Sequence, residues 1–90
     1  MITPTPSVCR VPDQPDPSDD QWLLAERRAI GDRIRIARLH RNMTQERLYL
    51  SAGVSRAALQ SIEAGASDAQ LSTLMRIARA LGMHPADLLR

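Results

Sequence analysis

The sequence predicts an all-α fold, a compact domain of five helices behind a disordered N-terminal tail, and three observations carry that prediction. Between Ile30 and Leu89 the apolar residues recur three and four apart, the spacing of one helix face. Aromatic residues are almost absent, with Trp22 and Tyr49 alone and no Phe, so the core must be built from Leu, Ile, Ala, Val and Met, a composition that suits helices. Five of the six prolines stand at positions 4, 6, 12, 15 and 17, which leaves the rest of the chain nearly free of helix breakers. Ninety residues allow one small domain, with no room for an enzyme of ordinary complexity.

Residues 1–18, rich in Pro and Asp with little that could pack, are predicted to be a disordered tail carrying no site, and residues 19–90 the folded domain. Cys9 in the tail is read as an exposed thiol. As the only cysteine it excludes an internal disulfide, and no histidine lies near enough to complete a metal motif. No apolar run approaches the ~20 residues of a membrane span, and the N-terminus lacks a signal pattern, so the cytoplasm is the expected location. The net charge of +2 is unevenly placed. One Arg against four Asp gives −3 up to Asp20, and eleven Arg against six acids gives +5 from Gln21 onward. That distribution fits a phosphate-bearing partner as well as it fits an ordinary solvated surface.

Ser18 and Gln21 stand at capping-box spacing, which predicts a first helix from about Asp19 to Arg41, open to interruption at Gly31. Ile30, Ile34 and Ala37 form its inner stripe. Arg33, Arg35 and Arg41 are expected in solvent or near phosphate. Thr44, followed by Gln45-Glu46-Arg47, has the shape of an N-cap and first turn, Leu48 and Ala52 share a face, and Gly53 stops the helix. Ser55 caps a further helix, Arg56 to Glu63, with Ala58, Leu59 and Ile62 inward and Gly65 as terminator. Helices of about two turns are marginal alone and need a base to pack on. Gln70 to Leu81 is read as an amphipathic helix with Leu71, Leu74, Met75, Ile77, Ala78 and Leu81 inward, ended by Gly82. Pro85 opens a last short helix with Leu88 and Leu89 as its apolar contribution.

Three segments at consistent spacing, Thr44-Gln45-Glu46-x-Leu48, Ala52-Gly53-Val54-Ser55 and Ile62-Glu63-x-Gly65, resemble the helix-turn-helix domains of the Cro and repressor type, the Xre-like regulators. The resemblance covers roughly Arg27 to Leu89 and implies a lambda-repressor-like domain that binds specific double-stranded DNA, regulates transcription and acts as a homodimer. It places Arg56, Ala57 and Gln60 on base edges of the major groove with Ser61 on the flank, and these residue types suit guanine, a thymine methyl and adenine. The same spacing also describes the wet face of a helix whose other side is core. Thr44, Gln45 and Ser55 sit at helix starts, where they can cap the backbone, meet a phosphate, or both, and Arg41 is a candidate phosphate contact, with Arg35 or Arg47 beside it.

The resemblance further implies an ion pair between Arg38 and Glu63, partly buried. Ile36 and Leu39 depart from the family, since they put a second apolar stripe where polar residues are usual. Either Trp22-Leu23-Leu24 folds back across Gly31 to cover it, or a second copy of the chain does. Tyr49 stands where the family has alanine, so its ring must spread the contact between the two motif helices or turn outward. His40 and His84 lack carboxylates or cysteines at ligand spacing, and neither a metal, a cofactor nor a catalytic constellation is expected. The other reading of the same fold is a protein-interaction module, an antitoxin or anti-repressor, which the apolar pair Ile36 and Leu39 favours and Arg56 with Gln60 opposes.

Overall fold

A computed structural model describes residues 17–90, with side chains from Asp20 onward. Its helices are α1 (Pro17–His40), α2 (Gln45–Ala52), α3 (Arg56–Glu63), α4 (Leu71–Ala80) and α5 (Ala86–Leu89), with no strand among the described residues. α1 is the base. α3 and α5 pack on it, while α4 packs on α2 and α2 on α3. Ile34, Leu48, Leu59, Ile77, Leu81 and Leu88 are fully buried, so every helix or its cap sends a large aliphatic chain to a common centre. Each such burial stabilises by about 1.5–3 kcal/mol, which is what holds helices too short to survive alone.

The caps work as the sequence requires. Thr44 accepts a hydrogen bond from the Arg47 amide and Ser55 one from the Ala58 amide, both 3.0 Å, so one of the orphan N–H groups at the start of each motif helix is satisfied. Gly53 adopts φ 74°, a left-handed conformation a side chain rarely takes, which turns the chain from α2 into Val54 and Ser55.

The structure corrects the reading of α1. The helix starts at Pro17, so Ser18 falls within its span instead of preceding it. The remainder of the proposed tail, Cys9 included, lies outside the described residues. Gly31 does not interrupt the helix. A Cβ there would stand 2.4 Å from the Ile62 carbonyl oxygen and 2.6 Å from that of Glu63. The glycine therefore lets the end of α3 rest on the α1 backbone. No fold-back occurs, because α1 is continuous and Trp22 stays 64% exposed. Arg33 is half-buried, and its guanidinium donates to the Leu88 carbonyl at 2.9 Å, tying α5 to the base.

Leu71, Met75 and Leu89, expected inward, are exposed. α4 packs mainly against α2, so only the stripe of Leu74, Ile77 and Ala78 meets the core, and Leu71 and Met75 sit on its flank. In α5 the short helix turns Leu88 in and the adjacent Leu89 out.

Candidate nucleic-acid interface

α3 has its inner face fixed by Leu59 and Ile62, which leaves Arg56, Ala57 and Gln60 exposed on the outer face and Ser61 half-buried at the flank. Beside them the start of α2 presents Gln45. Gln45, Glu46, Tyr49, Arg56 and Gln60 together line a shallow hollow of about 190 Å³ between the two helices. Tyr49 does not turn fully outward. Its ring is half-buried, packed against the core at one side and open to the hollow at the other.

Beneath this surface lies a charged brace. Arg38 Nε and Nη2 donate to Glu63 Oε2 and Oε1 at 2.9 and 3.1 Å, a bidentate pair, and Nη1 donates to the Met43 carbonyl at 3.0 Å. The side chains are only 10% and 5% exposed, and the Gln45 amide adds a 3.0 Å bond to Glu63 Oε1. One carboxylate thus joins the base helix, the first residue of α2 and the last of α3. That junction ties both motif helices to α1, and Leu48 and Leu59 belong to the same buried core cluster.

The helix-turn-helix family model matches residues 34–88 of this chain. The chain belongs to the helix-turn-helix family. Within it the Xre-like type, a group of DNA-binding transcription regulators, accounts for the three segments that bracket α2 and α3. The control protein C.BamHI of Bacillus amyloliquefaciens is 36% identical over 61 residues, which span 67% of this chain and 75% of that protein. Among solved structures, the restriction-modification controller protein C.AhdI from Aeromonas hydrophila superposes with a TM-score of 0.69 at 28% identity, covering 71% of this chain and 97% of that one. The clp gene regulator ClgR from Corynebacterium glutamicum gives a TM-score of 0.66 at 30% identity, covering 70% of this chain and 67% of that one.

In this helix-turn-helix protein the residues singled out from sequence fall into two groups. Gln45, Arg56 and Gln60 share the hollow, with Ala57 exposed on the same helix and the caps Thr44 and Ser55 at the two helix starts. Arg41 stands elsewhere: its guanidinium lies along the turn after α4, with Nη2 3.3 Å from where a Cβ of Gly82 would be. Arg35 is paired with Asp32 across one helical turn at 3.5 Å. Sequence reasoning missed Glu46 and Tyr49 as walls of the hollow. The signal was present for Tyr49, since it stands four residues after Gln45 and hence on the same face of α2. Gln45 also holds Glu63, so its amide is oriented before any ligand arrives.

Proposed function

We propose that this DNA-binding transcription regulator recognises a specific pseudo-palindromic duplex as a homodimer, with α3 in the major groove and half-sites about one helical turn apart. The observation that carries the reading is the exposed first turn of α3, where Arg56 and Ala57 stand free of the core with Gln60 one turn on, braced from below by the Arg38–Glu63 junction. Arg56 pairs bidentately with guanine, Gln60 with adenine, and the Ala57 methyl meets a thymine methyl. The free amides at the starts of α2 and α3, with Thr44, Gln45 and Ser55, take phosphate oxygens and set the register. Arg41 adds phosphate charge from the corner beside Gly82, and Ser61 borders the groove. C.BamHI is named a control protein and C.AhdI a restriction-modification controller, which supports a role for this chain in regulating genes from the cytoplasm.

The test is a pair of substitutions assayed against an operator selected from random duplexes and a scrambled duplex at two salt concentrations. Arg56→Ala is expected to cost about 1–3 kcal/mol per half-site on the operator and to relax preference at one base pair with the fold intact. Arg41→Ala is expected to weaken both duplexes alike and lower the salt slope by about one unit for each phosphate left without its arginine. Full discrimination retained by Arg56→Ala would show that α3 does not read sequence, and would promote the antitoxin or anti-repressor reading.

A further inference from the structure

Trp22, Ala25, Ala29, Asp32, Ile36 and Leu39 follow one another along α1 at alternating spacings of three and four, the heptad rhythm of a helix-pairing seam. At about 3.6 residues per turn this line runs along the side of α1 opposite Gly31, Ile34 and Arg38, which face the core. Most of it is open: Trp22 is 64% exposed, Ile36 and Leu39 each 57%, Ala25 and Asp32 are exposed as well, and Ala29 alone of the six is half-buried. The family match begins at residue 34, so the first two-thirds of the seam belongs to a part of α1 outside the shared motif. A solvated helix face has no need of a tryptophan, an isoleucine and a leucine at seam spacing.

We propose that this stripe is where a second copy of the chain docks, α1 against α1 and antiparallel, deepening and resting on the homodimer reading above. Charge selects the direction. In a parallel pair Asp32 would face Asp32 at the centre of the seam and Arg28 would lie beside Arg33 of the second copy, so that like charges meet both in the seam and on its flank. In the antiparallel register Trp22 meets Leu39, Ala25 meets Ile36 and Ala29 meets Asp32, so Ile36 enters the space left by Ala25 while Leu39 packs on the indole of Trp22. On one flank Glu26 then faces Arg33 of the second copy. On the other, Arg28 of the second copy comes beside Arg35, but Asp32, 3.5 Å from its own Arg35, stands between the two guanidinium groups, whereas the parallel pair puts Asp32 against Asp32. The partner approaches from the side of α1 away from α3, so docking leaves the α2–α3 surface uncovered and is compatible with DNA binding.

Sedimentation velocity of the full chain without DNA, over a range of concentrations, tests the surface. Ile36→Glu is expected to weaken self-association about tenfold or more while Met75→Glu, on the exposed flank of α4, leaves it unchanged, both with the wild-type helical melting curve. A dimer that survives Ile36→Glu, or one that Met75→Glu abolishes, overturns this surface and keeps the homodimer. A wild-type chain that stays monomeric at every concentration overturns both, and DNA recognition stands or falls separately in the duplex assay. Direction is read by oxidative cross-linking. In a Cys9→Ser background, Ala25→Cys and Ile36→Cys chains are prepared separately and mixed. The expected product is the mixed disulfide, whereas like-with-like disulfides or none at all overturn the antiparallel pair.

Discussion

The two halves of α1 each offer an arginine to the end of α3 or the loop after it, and the two resulting ion pairs differ in kind. Arg38 meets Glu63 where the side chains are 10% and 5% exposed, with every oxygen and most N–H groups of the pair engaged by Gln45, Met43 or each other. Arg27 meets Asp68 at 2.6–2.7 Å, a shorter approach, but with exposures of 27% and 75%. Distance alone would rank the exposed pair first. Surroundings separate them: a buried charge deprived of its partner has no water to turn to, while an exposed one is rehydrated at once. The C-terminal half of α1 is thereby locked into the motif and the N-terminal half is lightly tied, while the open apolar stripe runs along both.

The sharpest way to break this contrast is to remove Arg38. Arg38→Ala strands the Glu63 carboxylate and is expected to cost about 3–5 kcal/mol, with Arg38→Met plus Glu63→Leu costing less than the sum of the single changes. Additive losses in that thermal or denaturant cycle would mean the pair carries no coupling. Next comes the point where the halves meet. Gly31→Ala pushes a methyl into the Ile62 and Glu63 carbonyl oxygens, and the displaced α3 is expected to cost about 1–3 kcal/mol, outweighing the gain in helix propensity. A stabilised Gly31→Ala protein would contradict the close approach of α3 to the α1 backbone. Arg27→Ala should cost under ~1 kcal/mol and lose even that at high salt, as an exposed pair does.

The smallest effect lies at the other end of the chain. The Asp87 carboxyl is held below the ordinary aspartate value of 3.8 chiefly by the hydrogen bond from the Arg90 side chain, with the His84 amide adding to it. A depressed folded value means that the stabilisation is complete above the ordinary value and disappears as pH falls through the folded one. Because the pair is solvent-accessible, with Arg90 74% and Asp87 35% exposed, only a shallow acid-side loss of α5 order is expected, and Asp87→Asn should flatten it in an amide chemical-shift titration.

How far the sequence could be read follows the same division. The caps Thr44 and Ser55, the left-handed Gly53 and the Arg38–Glu63 pair were legible because each depends on neighbours at fixed spacing or on a motif with a known register. Gly31 reads from sequence as a weak point of the helix, since propensity records only its cost and says nothing of which backbone comes to rest there. Leu71 and Met75 read as inward because helical spacing gives the direction of an apolar stripe but not its width, and the width is decided by the helix opposite. For the interface, Arg56, Ala57 and Gln60 follow from their place in the motif, whereas Glu46 and Tyr49 enter only once α2 and α3 are set side by side.

The attachment of α5 has a consequence for motion. Its four residues are capped only locally, by the His84 Nδ1 accepting from the Ala86 amide at 3.1 Å, and they are held to the base by Leu88 and by one guanidinium reaching back across 55 positions in sequence. α2 is tied to α3 across 18 positions and α3 to α1 across 25. Local opening therefore begins at the C-terminus, so that the amides of residues 86–90 exchange with solvent through excursions that never disturb α2 and α3. A ligand seated on the motif slows exchange in those two helices and leaves that terminal fraying as it was.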